Sequence, residues 1–461
     1  MLSPQPEPVR ARGPADERPL PLSTAIVYGL PTFGMGYMLL TLLIYFLKFS
    51  TDVLLLAPAL MAVLFGLSRI WDAISDPLVG YLSDRTRSRW GRRRPWLLLS
   101  SLPIAGFYWM LWSPPAGLGS LGLTLWMTVA VFGFFTAATV FFVPHQALGA
   151  ELSIHHHDRT RIFGMRYLGA GLGTAGAMIA VSVLGESSDP RATAFRLATL
   201  AGLTTAGLIL FAASRLPERR EHLGRGATSP YAAFSDVWRN PHARRLLFVV
   251  LIQSLGFVTL APMAPYYVEY VIGSSGLLLR FFAFYFVPAL VLIPVWIALS
   301  RRFGKRNVWV FAMSTSAVGY GSLFFLGEGD GFWLCAAAVV IGVGTGCGQI
   351  MGPSVHADVI DYDEYRTEQR KEGAYSATWS FILKAAGGIG FMLGGVALEL
   401  SGYQPNVAQS ETTKFALRAM MSIFPCACAS LAALSLLRFR LTEAEHSRIR
   451  LELDRRSRTG A

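Results

Sequence analysis

The amino-acid sequence predicts an all-α membrane protein with twelve transmembrane helices, arranged as two six-helix halves around a central cavity. Hydrophobic residues make up 53% of the 461 residues, charged residues make up only 15%, and the mean hydropathy is +0.43. A soluble protein could hardly solvate so apolar a chain. Apolar segments recur along the sequence, and each is long enough to cross the ~30 Å hydrocarbon core of a bilayer.

The predicted helices are separated by short connections, except for one longer polar segment in the middle of the chain. Glycine and proline within them are tolerated where neighbouring helices cover the loosened backbone. In chain order the predicted helices are 23–48, 54–82, 96–113, 121–144, 162–185, 192–214, 245–271, 277–300, 307–327, 331–354, 374–400 and 415–438.

Positive charge is concentrated in every second connection. Arginine and lysine cluster after helices 2, 4, 6 and 8, whereas the connections 113–120, 185–190 and 327–331 hold almost none. By the positive-inside rule both termini are therefore cytoplasmic, in a multi-pass protein of the cell (inner) membrane. The net charge of +12 is explained by this placement, so no nucleic-acid partner is expected.

The predicted organisation has five parts. Neither terminal tail resembles a cleavable signal peptide. The parts are a cytoplasmic N-terminal tail 1–22, a six-helix bundle 23–214, a cytoplasmic central loop 215–243, a second six-helix bundle 244–438 and a cytoplasmic C-terminal tail 439–461.

Two motifs recur at a displacement of about six helices. Trp90-Gly-Arg-Arg-Arg-Pro-Trp96 is echoed by Phe303-Gly-Lys-Arg-Asn-Val-Trp309, and 144–151 has a looser counterpart in 353–358. Such an internal repeat indicates two similar halves. It is typical of major-facilitator transporters, which hold their substrate at the interface between the halves.

Three ionisable residues lie within the apolar second helix. Arg69, Asp72 and Asp76 are spaced three and four apart, so they share one helix face, with the carboxylates about 6 Å apart along the axis. Ionisable groups within a bilayer are expensive, and functional roles are the default interpretation. Two adjacent acids predict a cation site. The alternative is an ion pair with Arg69 that holds no ion.

Nucleotide-driven transport and enzymatic catalysis have no support in the sequence. Gly304-Lys305-Arg306 lacks the upstream glycine of a phosphate-binding loop. The glycines from Gly342 to Gly348 lie in mid-membrane and favour close helix packing instead. No nucleophile, base and orienting acid converge. Uphill transport therefore needs an ion gradient, and no cofactor is expected beyond Na⁺ or H⁺ as coupling ion.

Longer motifs carry a family resemblance over nearly the whole chain. They are Arg69-x-Trp71-Asp72-Ala-Ile-x-Asp76-Pro, Trp90-Gly-Arg-Arg-Arg-Pro-Trp96, Ala147-Leu-Gly-Ala-Glu151, Asp158-Arg-Thr-Arg161, Asp361-Tyr-x-Glu364 and Ile-Leu-Lys384-Ala-Ala-Gly-Gly. In these motifs the sequence resembles the glycoside-pentoside-hexuronide:cation symporter family, whose members are melibiose-carrier-like and have the major facilitator fold.

The resemblance implies roles for several residues. Asp72 and Asp76 line the coupling-cation site, which holds Na⁺ if the protein is sodium-coupled. Lys384 on helix 11 approaches these carboxylates across the cavity, and Arg166 on helix 5 helps to bind substrate. Two alternatives stay open: Lys384 snorkels to water, and Arg166 is a headgroup anchor.

Two positions depart from the family pattern. Gly36 stands where a sugar-binding aspartate is expected on helix 1, and Thr136 stands where a cation-binding aspartate is expected on helix 4. A threonine hydroxyl can still bind Na⁺, so Thr136 is predicted as a cation ligand. The vertebrate sodium-dependent lysophosphatidylcholine symporter, a distant relative, has a similar pattern: the helix 2 acids and the helix 11 lysine with an uncharged helix 4. A lysophospholipid or other amphipathic anion is therefore an alternative substrate.

The remaining predicted sites are an aromatic surface and a cytoplasmic gate. Trp379 is a candidate for stacking on a sugar ring, although tryptophan in membrane helices also marks the interface. Glu269 is either substrate-facing or extracellular. The predicted cytoplasmic latch consists of Arg69, Asp84, Arg92, Arg93, Arg94, Glu151 and Asp358.

The predicted function is cation-coupled symport of a sugar or glycoside by alternating access. In this mechanism residues 1–214 rock against residues 244–438 around a midplane site. The expected partners are a small-molecule substrate and the lipid bilayer, and the expected state is a monomer. A non-transporting membrane sensor is the second alternative, against which the acids and Lys384 argue.

Overall fold

All the regular structure in the described part of the chain is helical. The computed structural model describes residues 20–152, 156–218, 237–368, 371–439, 441 and 443–459. The helices at the predicted places are α1 Leu22–Val53, α2 Pro58–Arg85, α3 Arg94–Trp112, α4 Ser120–Glu151, α5 His156–Gly185, α6 Pro190–Arg215, α7 Pro241–Tyr270, α8 Leu278–Val291 with Ile293–Phe303, α9 Lys305–Ser322, α10 Gly331–Thr367, α11 Glu372–Leu400 and α12 Glu411–Leu437.

Ten of these helices are long and apolar enough to cross a membrane, and α8 makes an eleventh if its two pieces form one span. The two pieces are bent by 48° at Leu292, between Pro288 and Pro294. Proline removes a backbone donor and disrupts the preceding turn, which accounts for the break. The helix α3 forms at the predicted place but is outside this group of spans.

Two helices continue well beyond their predicted ends. The prediction ended helices 4 and 10 at 144 and 354, next to a proline, but α4 runs to Glu151 and α10 to Thr367. Pro144 and Pro353 lie inside these helices. Packing against neighbouring helices compensates for the lost hydrogen bond, and the polar residues after each proline therefore stay helical.

The helices pack as two groups of six. In the first group α1 contacts α5 and α6, α2 contacts α4, and α3 contacts α4 and α6. In the second group α7 contacts α11 and α12, α9 contacts α10 and α12, and α8 contacts α10. The two groups meet through α2 with α11, α1 with α7, and α5 with α8.

Glycine allows close helix contacts at several of these interfaces. A Cβ at Gly36 would lie 2.5 Å from the backbone oxygen of Ala170 on α5. On α10, a Cβ at Gly342, Gly344 or Gly346 would collide with a backbone oxygen of α8 or α9. The packing role predicted for the α10 glycines is confirmed, and no side chain fits at Gly36 without separating α1 from α5.

The bundle has two chemically different ends. The basic end carries Arg92 to Arg94 at the start of α3 and Lys305 at the start of α9. The opposite end carries the C-terminal part of α1, with Lys48, and the last turn of α7, with Glu269. Successive helices run between these two ends in alternating directions.

The C-terminal tail contains a further helix that was not predicted. Helix α13, Glu443–Thr459, contacts α10 beside a core cluster that includes Phe439, Leu441 and Ile449. The helix is strongly polar, so nothing in its composition indicated a transmembrane segment. Ion pairs of His446 and Arg450 with Asp361 of α10, together with the few apolar side chains of α13, hold it against the basic end.

Candidate functional site

Lys384 joins the two acids of α2. Its Nζ lies 2.9 Å from Asp72 Oδ2 and 2.5 Å from Asp76 Oδ2. Because α2 belongs to the first group of helices and α11 to the second, these ion pairs cross the interface between the groups. Lys384, in the middle of α11, therefore pairs with two acids and does not extend toward water.

A second cation shares the cluster. Arg69 Nη1 lies 3.1 Å from Asp72 Oδ2, and its guanidinium lies 4.7 Å from the centre of the Phe135 ring on α4. Two cations therefore face two carboxylates, and the cluster is formally neutral. Full compensation of charge is what allows it to lie in so apolar an environment.

The hydroxyl beside the acids belongs to Thr139. Its Oγ1 donates to Asp72 Oδ1 and lies 3.3 Å from Asp76 Oδ1. Thr136, the position predicted from the resemblance, accepts a hydrogen bond from Trp71 Nε1 at 2.9 Å instead. The two threonines are about one helical turn apart, and only the packing of α4 against α2 shows which one meets the acids.

Close contact between α2 and α11 positions this cluster. A Cβ at Gly388 would lie 2.6 Å from the backbone oxygen of Gly66 and 3.4 Å from Cβ of Arg69. Gly388 is one turn from Lys384 and shares its helix face. The absence of side chains at Gly66 and Gly388 brings the axes near enough for Lys384 to reach Asp72.

The two acids differ in exposure. Asp72 is buried, with 7% of its side chain exposed, whereas Asp76 and Lys384 keep 28% and 22% exposed. The open side of the cluster is therefore at Asp76. Oxygen atoms of Asp72, Asp76 and Thr139 converge there, and such hard oxygen ligands suit an alkali cation or a proton.

Arg166 lies apart from this cluster. Its backbone oxygen accepts from Thr32 Oγ1 at 2.8 Å, and its guanidinium is near enough to Tyr28 and His145 to interact electrostatically. It forms no ion pair within the described part of the chain. Helix α5 therefore supplies a half-buried cation in the first group of helices, and the neighbours of this cation belong to α1 and α4.

Trp379 also lies on a different face of its helix from Lys384. Its ring centre is 4.6 Å from that of His356 on α10, and a Cβ at Gly352 would approach the indole to 3.3 Å. The indole therefore packs inside the second group of helices. Five residues separate it from Lys384, which turns it about 140° away around the helix axis.

The predicted latch residues at the basic end pair within their own groups of helices. Arg92 Nη2 lies 2.6 Å from Glu151 Oε1, and Arg93 pairs with Asp84. Asp358 pairs with Lys305 at 2.7 Å and with His446 of α13 at 3.6 Å. Arg69, which was predicted with this set, lies at the Asp72 cluster instead.

Glu218 organises the arginine run and was not predicted. Its carboxylate accepts the backbone N–H groups of Arg92, Arg93 and Arg94 at 2.6, 2.7 and 3.2 Å. These backbone donors have no partner inside α3, because they lie at its start, where a negative charge is stabilising. No sequence signal indicated it, because Glu218 is more than a hundred residues away. Most of the predicted central loop that follows it lies outside the described residues.

Another unpredicted cluster surrounds Lys48 at the opposite end. Lys48 pairs with Asp52 at 2.6 Å and with Glu269 of α7 at 2.8 Å. The spacing of four between Lys48 and Asp52 is a visible signal for an ion pair on one helix face. The role of Glu269 needed the tertiary structure. Glu269 is neither free in solvent nor part of the Asp72 cluster.

Metal-binding clusters of three or more histidine, cysteine or acidic residues are absent from the described residues. Asp72 and Asp76 are two carboxylates only, and Thr139 completes the oxygen set. Carboxylate and hydroxyl oxygens are hard ligands, and hard cations prefer such ligands.

Comparisons with known proteins agree with this architecture. The chain is 26% identical to an isoprimeverose transporter of Lactiplantibacillus pentosus, covering 92% of this chain and 90% of the relative. It is 25% identical to a glucuronide carrier protein homolog of Escherichia coli K12, covering 94% and 96%. An inner membrane symporter, YicJ, of the same bacterium is 26% identical over 90% and 91%.

Solved structures show the same fold. The crystal structure of a D-xylose-proton symporter matches with a TM-score of 0.63 at 15% identity, covering 90% of this chain and 97% of that chain. The nucleoside transporter NupG matches with a TM-score of 0.61 at 16% identity, covering 91% and 99%. The predicted all-α major facilitator fold is confirmed.

The family model described as MFS/sugar transport protein matches residues 27–443. This range covers nearly all the membrane-spanning helices, including α2 with its acids and α11 with Lys384. The predictions of a multi-pass membrane transporter, and of a protein that is not an enzyme, are confirmed by this match. The chain belongs to the MFS/sugar transport protein family.

Proposed function

We propose that the protein carries a sugar or glycoside across the membrane in symport with Na⁺ or H⁺, by alternating access. The observation that carries the proposal is the position of Lys384 between Asp72 and Asp76. These ion pairs join α2 to α11 across the interface between the two groups of helices. Their formation or loss therefore changes the relative stability of the conformations in which the two groups are placed differently. The names of relatives that carry isoprimeverose and glucuronides favour a sugar as substrate.

In the proposed cycle the coupling cation and Lys384 compete for the same carboxylates. A cation at Asp72 and Asp76 displaces the ammonium of Lys384 and leaves it free to meet a polar or anionic group of the substrate. Thr139 replaces Thr136 as the proposed neutral ligand. Without the cation, Lys384 stays paired and the substrate loses a partner, which couples the two fluxes.

The cationic residues apart from this cluster have separate proposed roles. We propose Arg166 as a second substrate contact, because a half-buried guanidinium without an ion pair in the described chain is available to a ligand. The basic end is proposed to face the cytoplasm of a monomer in the inner membrane, as its arginines predict. We do not assign Trp379 to the substrate site, because it packs between α10 and α11.

Gradient-driven uptake into proteoliposomes tests the proposal. The purified protein is given a panel of neutral sugars, acidic sugars and a lysophospholipid, with a Na⁺ gradient, a proton gradient or neither. We expect one sugar class to accumulate with one of the two gradients. Asp72→Asn and Asp76→Asn should each abolish accumulation, whereas Glu411→Gln, at an acid with 80% of its side chain exposed, should leave it unchanged.

The same assay separates the alternatives. Lysophospholipid uptake without sugar uptake would replace the sugar by an amphipathic anion on the same scaffold. If the folded protein shows no counterflow with any substrate of the panel, the result would favour a non-transporting membrane sensor. Full gradient-driven accumulation by Asp72→Asn or Asp76→Asn would exclude the proposed cation site.

A further inference from the structure

We propose that Lys48, Asp52 and Glu269 form a lock that keeps the opposite end of the bundle closed, and that this lock breaks in each transport cycle. Lys48 and Asp52 belong to α1, and Glu269 belongs to α7. The Lys48–Glu269 pair at 2.8 Å therefore joins the first group of helices to the second. We call these three residues the opposite-end lock.

Burial makes Lys48 depend on its acidic partners. Only 7% of the Lys48 side chain and 8% of the Asp52 side chain are exposed, against 35% for Glu269. Removal of one partner from a buried ion pair is strongly destabilising, because the other charge is left uncompensated. The ammonium of Lys48 also lies 4.9 Å from the ring centres of Tyr266 and Tyr270 on α7, and such cation–π contacts are favourable.

A loop of the second group holds the other side of the lock. Tyr403, between α11 and α12, donates its hydroxyl to Asp52 Oδ1 at 2.6 Å. Asn406 in the same loop donates Nδ2 to the Asp52 backbone oxygen at 2.9 Å. Burial raises the pKa of the Tyr403 hydroxyl far above its usual value, so this group remains a donor. The end of α1 is thus held both by α7 and by the α11–α12 loop.

The ion pairs that cross between the two groups are distributed unevenly along the bundle. In the described part of the chain they are those of Lys48 with Glu269 and those of Lys384 with the two acids of α2. At the basic end, Arg92 pairs with Glu151 within the first group and Lys305 pairs with Asp358 within the second. At the opposite end, direct contacts from Lys48 to Glu269 and from Asp52 to Tyr403 join the two groups and close that end. This end cannot separate while Lys48 bridges α1 and α7.

Distances between spin labels test the lock directly. Leu118, before α4, and Phe332, at the start of α10, are 39% and 76% exposed and lie at the opposite end in different groups of helices. Both are changed to cysteine in a chain whose native cysteines have been replaced, and pulsed electron paramagnetic resonance measures the label distance without substrate. We expect Lys48→Met to raise the ratio of open to closed molecules by about tenfold or more.

Three further variants control the result. Glu269→Gln removes only the charge of the partner on α7. It should raise the ratio of open to closed molecules by a similar factor, and the double variant with Lys48→Met should show no further rise. Lys48→Arg should keep the closed distance. Lys414→Met removes a lysine at the same end whose partner, Glu411 at 2.9 Å, belongs to the same helix, and it should leave the distance unchanged.

The outcomes decide the proposal without reference to transport. An unchanged distance distribution in Glu269→Gln would overturn it, even if Lys48→Met failed to fold. An equal shift in Lys414→Met would overturn it as well, because any loss of charge at this end would then have the same effect. Since neither ion nor substrate is present, failure of the proposed sugar symport would leave the result for the lock intact.

Discussion

The hydroxyl of Thr139 is the residue-scale feature that distinguishes this ion cluster. It contacts both Asp72 and Asp76, so an ion between the carboxylates also meets the hydroxyl oxygen. Thr136 on the same helix contacts Trp71. The two threonines have the same chemistry, but Thr139 is buried against the acids whereas Thr136 is only partly buried and faces Trp71.

This difference gives a matched pair of variants. Thr139→Val should weaken the apparent affinity for the coupling cation by about tenfold, because a ligand oxygen worth about 1.4 kcal/mol is lost. Thr136→Val should leave that affinity unchanged. The measurement is the concentration of the coupling ion that gives half-maximal uptake in proteoliposomes. Equal effects of the two substitutions would remove Thr139 from the proposed site.

The contact between α2 and α11 is the element-scale feature on which the site depends. Gly66 and Gly388 let the two helices approach, and this approach sets the distance between Lys384 and Asp72. A run of small residues in α11 was visible in the sequence. Its orientation was not, because Gly387 and Gly388 are adjacent and only one can face α2.

Substitution of the two adjacent glycines should therefore have opposite effects. Gly388→Ala places a Cβ 2.6 Å from the backbone oxygen of Gly66, and we expect overpacking to cost about 1–3 kcal/mol, more than the gain in helix propensity. At Gly387 a Cβ would meet nothing within 4 Å, so Gly387→Ala should be neutral or slightly stabilising. Thermal unfolding of the purified protein measures both effects, and equal melting temperatures would contradict this account.

The positions of the helices could be predicted better than their ends. The sequence located α1 to α12 because burial in a bilayer demands long apolar segments, whatever their partners. It placed the ends of α4 and α10 too early, because the prediction followed the apolar segments, whereas the more polar residues beyond Pro144 and Pro353 continue each helix. The polar helix α13 was missed because its stability depends on packing against α10.

The arrangement of charge is the feature that belongs to the whole molecule. Arginine and lysine collect at the basic end, whereas the lock at the opposite end has one lysine and two acids. Ion pairs between the two groups of helices occur at the lock and at Lys384 in the described part of the chain. This is the pattern expected of a transporter whose opposite end is closed.

Orientation in the membrane is tested by labelling with a membrane-impermeant thiol reagent in intact cells. Ser88→Cys lies in the connection between α2 and α3 at the basic end, and Leu118→Cys lies at the opposite end. With the basic end in the cytoplasm, Leu118→Cys should react in intact cells, and Ser88→Cys only after permeabilisation. The reverse result would invert the proposed topology.

The sequence by itself determined the all-α class, the places of the twelve helices, the positive-inside pattern, and the acids and lysine with which a site is proposed. These follow from local properties, because apolar length, charge and spacing along one helix do not depend on the rest of the chain. Tertiary structure alone decided that Thr139 meets the acids, that Trp379 turns away from Lys384, and that Lys48 reaches Glu269. Each of these depends on how two helices are rotated against one another. That rotation is decided by packing between segments far apart in the sequence, such as the contact of Gly66 with Gly388.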